Sequence, residues 1–284
     1  MFRRAMSTLQ NGTSKPLKIL MLHGYTQSGP LFSAKTKALE KILKKSFPGV
    51  ILSYPTGPMR LKPHDIPGFS SDKYDGVDGD ADQEVEAYGW WRRSNTAEPP
   101  EYVGLEEGLK VVSDVLSAEG PFDGVMGFSQ GGCMAAMVAS LLEGESRRKA
   151  FEVAQGKSKV AVAFPEPFEG LKHPPLRFAV SYSGFVAPGE RYGAFYEPKI
   201  TTPVCHFVGS LDTVVSEERT DALVDATGGS GQEKAMVVVH PGGHFVPAGR
   251  QYLDAVVGFM RAKMEGHRED GEKEERAEDM DVPF

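Results

Sequence analysis

The sequence predicts an α/β architecture: a mainly parallel sheet of about six strands with helices on both faces. Three observations lead there. Short, almost wholly apolar runs recur along the chain, as expected for strands buried on both faces. Between them lie stretches with helical spacing, so strand and helix alternate. No internal repeat interrupts this alternation, and only the last twenty residues are biased in composition.

The first strand is LKILMLHG (17–24), ending in a His-Gly turn. LFSAKTKALEKILKKSF (31–47) follows as one amphipathic helix, with Leu39, Ile42, Leu43 and Phe47 on its apolar face. VILSYP (50–55) is a second strand, stopped by proline. Residues 56–100 are rich in Gly, Pro and Asp and form an irregular lid or insertion. A helix is expected over 101–120, where Gly120-Pro121 ends it. FDGVMGF (122–128) is the third strand, and the small and apolar residues of 131–144 form a helix packed tightly on the sheet. Residues 145–175, with Arg147-Arg148-Lys149 and several prolines, yield no assignment. RFAVSYSG (177–184), PVCHFVGS (203–210) and KAMVVVH (234–240) complete the strands, and 216–227 and 247–264 supply helices. The domain therefore spans 17–264, between a disordered extension (1–16) and a disordered acidic tail (265–284).

The net charge of −7 is concentrated in that tail. Nine acids and three bases in 265–284 account for −6, leaving the remainder near neutral and without the basic stripe of a nucleic-acid binder. Cys133 and Cys205 lie in apolar runs outside any metal-ligand spacing, which predicts free thiols in a reducing compartment. No apolar run reaches the roughly 18 residues of a membrane span. The N-terminus carries Arg3, Arg4 and Lys15 without an apolar core, so it is not a secretory signal. The expected location is cytoplasmic, with a mitochondrial presequence as the second reading.

GFSQG (127–131) carries the chemistry. A G-x-S-x-G sequence between a strand and a helix matches a nucleophile elbow, whose glycines make room for a strained serine at a helix N-terminus. A serine hydroxyl needs a general base held by an acid. Asp212, in the loop after one strand, and His244, in the glycine-rich turn after the last, follow in the order Ser, Asp, His. All three fall after the carboxyl ends of predicted strands, where open α/β sheets place their sites. Backbone N–H groups of Tyr25 and Gln130 are the expected oxyanion donors. His240 is read as a structural residue at the edge of the site, His206 as a core histidine and His23 as a buttress of the oxyanion loop. Asp123 and Asp221 lie in the wrong places for the acid. No metal-ligand grouping and no glycine-rich phosphate loop is present, so no metal and no cofactor is expected.

With these residues in view, the chain resembles the fungal-type family of serine hydrolases (FSH), α/β-hydrolases related to a human ovarian-cancer-associated hydrolase. The resemblance covers about Lys18 to Met264 and rests on LHGYTQSG, GWWRR, EYVGLEEGL, GPFDGVMGFSQGG, SYSGF, VGSLDTVV and HPGGHFVP. Acyl-protein thioesterases share a similar GFSQGG, but the GPFDG lead-in, Trp90-Trp91 and HPGGHFVP favour FSH. It implies an α/β-hydrolase fold, a triad of Ser129, Asp212 and His244, and a cofactor-free esterase or thioesterase. Some fungal members release polyketide chains from a carrier protein, which makes an acyl-carrier protein a partner to consider.

Trp90, Trp91 and Tyr88, with Phe69, lie in or near the insertion and are the candidate walls of an acyl pocket. Their other reading is a satellite core beneath a loop. Arg92 and Arg93 could meet a carboxylate or phosphopantetheine phosphate, or be a solvated pair. A ligand-binding protein on the same fold is the reading from another class.

Overall fold

The computed structural model describes residues 15–66, 86–94, 96–228 and 235–278. The expected N-terminal extension falls almost wholly outside these residues, and Phe69 lies outside them as well. Strands β1 (Lys18–Leu22) and β2 (Ile51–Ser53) flank helices α1 (Gly29–Lys35) and α2 (Lys37–Ser46). The insertion contributes two short antiparallel ladders: β3 (Met59–Arg60) with β4 (Tyr88–Gly89), and β5 (Arg92–Arg93) with β6 (Tyr102–Val103). Then come α3 (Leu105–Glu119), β7 (Gly124–Phe128), α4 (Gln130–Leu141), α5 (Glu145–Lys157) and β8 (Phe178–Tyr182). The chain ends with β9 (Val204–Gly209), α6 (Glu217–Asp225), β10 (Met236–His240) and α7 (Arg250–Glu278). The six strands expected from the sequence form one sheet in the order β10-β9-β8-β7-β1-β2, parallel at every pairing.

The sheet is buried on both faces because its central strands are apolar at most positions. Leu20 and Leu22 of β1 join one core cluster, which includes Trp90, Met134 and Phe195. Ile19 and Met21 join the other, with Phe32, Leu43, Phe207 and Met260. Alternate side chains of a strand point to opposite faces, so one apolar run feeds both cores. Every residue of α4 is buried, which its small side chains permit against β7 and β8.

Four boundaries differ from the sequence reading. The helix expected over 31–47 is two helices, broken at Thr36, whose backbone (φ −104°, ψ 22°) leaves the helical region. Its hydroxyl donates to the Phe32 carbonyl at 2.7 Å, a back-bond that bends helices. Helix α3 starts at Leu105 rather than 101, because Tyr102 and Val103 pair with β5 and Gly104 has φ 86°. Within the unassigned 145–175, α5 exposes charge on most of its surface and buries Arg147 and Phe151. Arg147 donates to Glu143 at 2.9 Å and to the Ala194 carbonyl at 3.0 Å, and Glu143 Oε1 accepts the Thr201 and Thr202 N–H groups. The last helix continues to Glu278, through most of the segment expected to be a disordered tail.

His206, on β9, and His23, after β1, are both buried, and burial pulls each imidazole down to about 4. The Thr227 hydroxyl donates to the Val224 carbonyl, so the His206 Nε2–H donates to Thr227 at 2.8 Å. Because the unfolded value is 6.5, the unfolded chain binds more protons between pH 6.5 and 4. Stability from both groups is present above pH 6.5 and is lost as pH falls toward 4. Urea unfolding should show a loss on the order of 2 kcal/mol per histidine between pH 7 and pH 5. His206→Gln, which keeps a donor to Thr227 but cannot titrate, should remove about half of that dependence; an unchanged slope would refute it.

Candidate active site

The site begins with a backbone constraint. Ser129 follows β7 and caps α4 with φ 53° and ψ −114°, a strained conformation for a residue with a side chain. Its N–H donates to the Tyr182 carbonyl at 2.8 Å. Gly127 and Gly131 are required by close approach. A Cβ on Gly127 would lie 1.9 Å from the Gly131 carbonyl oxygen, and one on Gly131 would lie 2.1 Å from that of Leu22. The strand, turn and helix are pressed together so closely that the serine is forced up over the sheet's carboxyl edge.

Two loops bring the partners. Asp212 follows β9, and His244 lies between β10 and α7. Gly209 lets these loops meet, since a Cβ there would be 2.5 Å from the Gly243 carbonyl. His244 Nε2 lies 2.8 Å from Ser129 Oγ, and Nδ1 lies 2.7 Å from Asp212 Oδ2. Asp212 Oδ1 accepts the Val214 and Val215 N–H groups at 2.9 and 3.0 Å. Burial alone would push this carboxyl up, but the hydrogen bonds from His244, Val215 and Val214 and the charge of His244 outweigh it, holding the group below its ordinary value. It is therefore an anion throughout the neutral range. The Phe128 ring packs on the imidazole, with centroids 4.9 Å apart.

The expected oxyanion loop is a tight turn. Gly24 donates to Gln27 Oε1 at 3.3 Å and accepts the Gln27 N–H at 3.2 Å, and Thr26 has φ 68°. The Tyr25 ring packs on Gly89 and its hydroxyl donates to the Asp65 carbonyl at 3.2 Å, so it is engaged with the insertion. The Gln130 side chain spans the tryptophan pair: Oε1 accepts the Trp90 N–H and Nε2 donates to the Trp91 carbonyl, both at 2.8 Å.

This corrects the pocket-wall reading of the tryptophans. Trp90 is 0% and Trp91 2% exposed, so neither offers surface to a ligand. Trp90 stacks on His23 and donates its Nε1–H to the His23 carbonyl at 2.9 Å, while Trp91 stacks on Tyr102. They are core residues that support the site from behind. Tyr88 is half-buried on β4 and pairs with Gln27, near the oxyanion turn. From the sequence Gln130 enters for its backbone alone, and an amide side chain next to the nucleophile is the signal there for its bridging role.

The remaining histidines and acids fall as follows. His240 is buried between Phe245 and Tyr252, with Nε2 unpartnered. Asp123 accepts the Lys18 N–H, at the far end of β7, and Asp221 is exposed on α6. Arg92 pairs with Asp65 at 3.2 Å, and Arg93 is exposed. Cys133 and Cys205 are free and buried, which pushes both thiols up to about 12. Among the described residues, no group of three His, Cys, Asp or Glu is placed to hold a metal. No helix among them is long and apolar enough to cross a membrane.

Several known proteins resemble this chain. The chain is 34% identical over 262 residues to esterase OVCA2 of Danio rerio, covering 87% of this chain and 97% of that one. It is 34% identical over 247 residues to the dihydrofolate reductase of Schizosaccharomyces pombe, covering 87% of this chain and 47% of that one. The chain thus spans about half the length of that relative, and likewise of a second from the same yeast. Among solved structures, acyl-protein thioesterase 2 of Zea mays superposes with a TM-score of 0.54 at 18% identity, over 90% of this chain and 96% of that one. That likeness shows the fold, which is that of the α/β-hydrolases. The family model described as serine hydrolase (FSH1) matches residues 13–256, and the chain belongs to that family.

Proposed function

We propose that the protein is a serine hydrolase that cleaves acyl esters or thioesters through an acyl-enzyme on Ser129. The observation that carries this reading is the unbroken hydrogen-bond chain Ser129–His244–Asp212. Asp212, ionised, holds the proton on Nδ1 of His244, leaving the Nε2 lone pair to face the serine hydroxyl. His244 takes the Oγ proton as Oγ bonds to the substrate carbonyl carbon. The carbonyl oxygen becomes an anion, met by the Tyr25 and Gln130 N–H groups and the N-terminus of α4. As the tetrahedral adduct collapses, Nε2–H protonates the leaving alcohol or thiol. Water, deprotonated by His244, then attacks the acyl-enzyme, and collapse of the second adduct releases the acid and returns the proton to Oγ.

The same chemistry serves an acyl chain held on a carrier protein, and we propose that class of partner as the second reading. The exposed Arg93, beside the Asp65-paired Arg92, is the observation that favours it, as a contact for an acidic carrier surface or phosphopantetheine phosphate. The two free buried thiols support the cytoplasmic location expected from the sequence.

A fluorophosphonate probe should label the wild type and leave Ser129→Ala unlabelled; persistent labelling of that variant overturns the assignment. A chain-length series of p-nitrophenyl esters and acyl thioesters, run beside it, should show Ser129-dependent turnover. Its absence across the series would favour a ligand-binding role.

A further inference from the structure

The histidine that ends the first strand is buried, polar and takes no part in the proton relay, yet each of its ring nitrogens has a specific partner. The Gly57 N–H donates to His23 Nε2 at 2.8 Å, so that nitrogen is bare. Burial holds the ring neutral at physiological pH, with a value of about 4, so its one proton sits on Nδ1. Nδ1 lies 2.8 Å from the Gly24 carbonyl oxygen, to which it therefore donates.

That carbonyl belongs to the peptide unit whose nitrogen is Tyr25. We infer that His23 is a positioning residue of the oxyanion hole, holding and polarising the Gly24–Tyr25 peptide so that its N–H meets the oxyanion. The inference rests on the proposal that Ser129 is acylated and that Tyr25 supplies an oxyanion donor.

Planarity supplies the first reason. In a trans peptide C=O and N–H point in opposite directions, so tying the carbonyl down fixes the direction of the amide hydrogen. The Gly24 oxygen takes two hydrogen bonds, from His23 Nδ1 and from the Gln27 N–H. Polarisation supplies the second, since a carbonyl that accepts hydrogen bonds makes the N–H of its own unit a stronger donor. The support is rigid: His23 is 0% exposed and stacks on Trp90 with centroids 4.9 Å apart. Trp90 in turn gives its backbone N–H to Gln130 Oε1 at 2.8 Å. One buried block thus ties together the two residues whose N–H groups form the expected hole. The competing reading is that the imidazole only fills the core and satisfies Gly57.

Two substitutions separate the readings. The amide of His23→Asn reaches the Nδ1 position and can still donate to Gly24, but it abandons the Gly57 N–H. The amide of His23→Gln reaches the Nε2 position and can still accept from Gly57, but it loses the donor to Gly24. The expected result is a crossing of effects. His23→Gln should retain the melting temperature better yet lose about ten- to a hundredfold in kcat with KM within about twofold. His23→Asn should melt lower yet keep kcat within about threefold when assayed well below its Tm. With 15N-tyrosine labelling, the Tyr25 amide proton should move downfield when Ser129 is phosphonylated, and move less in His23→Gln. The amide readout also decides the matter should His23→Asn fail to fold. Wild-type kcat in His23→Gln, losses of kcat that simply track stability, or an amide shift equal to wild type would each overturn the inference. Phosphonate labelling of Ser129→Ala would instead remove the reading beneath it, so the two failures are distinguishable.

Discussion

Replacing Ser129 with alanine is expected to lower kcat for ester hydrolysis by about a millionfold, and adding His244→Ala to change it by less than about threefold further. The hydroxyl and the imidazole act as one unit across a 2.8 Å contact. Without the hydroxyl the imidazole has nothing to deprotonate, and without the imidazole the hydroxyl keeps its proton. Each single loss therefore removes nearly the whole effect, while the oxyanion donors continue to bind the polarised carbonyl. The check is kcat for an activated aryl ester on both single variants and the double. A His244→Ala variant that kept a tenth of the wild-type kcat would show that some other base serves Ser129.

The second large effect is at the acid. Asp212→Asn should lower kcat by about ten-thousandfold while leaving the fold and KM nearly unchanged. The substitution is almost isosteric, and its oxygen can still accept the Val214 and Val215 N–H groups that shape the loop. What changes is the direction of one hydrogen bond. An amide N–H turned toward Nδ1 makes that nitrogen an acceptor and moves the imidazole proton to Nε2, where it faces Ser129 Oγ. The base is then blocked by its own proton, and the anion that stabilised the imidazolium is gone. Measured kcat together with an unchanged circular dichroism spectrum and Tm tests this. A loss of only tenfold would mean that the 2.7 Å Asp212–His244 bond orients the ring without setting its tautomer.

The pH dependence of stability and the His23 substitutions bear on the same region, since the first strand and the nucleophile strand are neighbours in the sheet. The core that makes His23 a neutral imidazole also fixes the Gly24 carbonyl.

All six strands of the central sheet were legible in the sequence, because each is a short, mainly apolar run bounded by turn residues and needs no distant partner to be recognised. The G-x-S-x-G turn, with Asp212 and His244 after later strands, was legible for a related reason. A parallel sheet delivers every strand's carboxyl end to one edge, so chain order alone places the three residues together. Helix α5 is not legible because it buries only Phe151 and a charged residue, Arg147, whose partners Glu143 and the Ala194 carbonyl lie outside the helix. Apolar periodicity cannot register such an anchor. The tryptophans are open to both readings for the converse reason: large apolar side chains in an irregular stretch look the same in sequence whether they line a pocket or fill a core.

The sequence by itself determined the strands, their alternation with helices, and which serine, acid and histidine could act together, since these follow from local hydrophobic pattern, glycine sterics and order along the chain. Only the tertiary structure decided that Trp90 and Trp91 face inward and that Gln130 and His23 tie the oxyanion loop to them. Those roles rest on hydrogen bonds between residues separated by 34 to 67 positions, whose geometry no local pattern encodes.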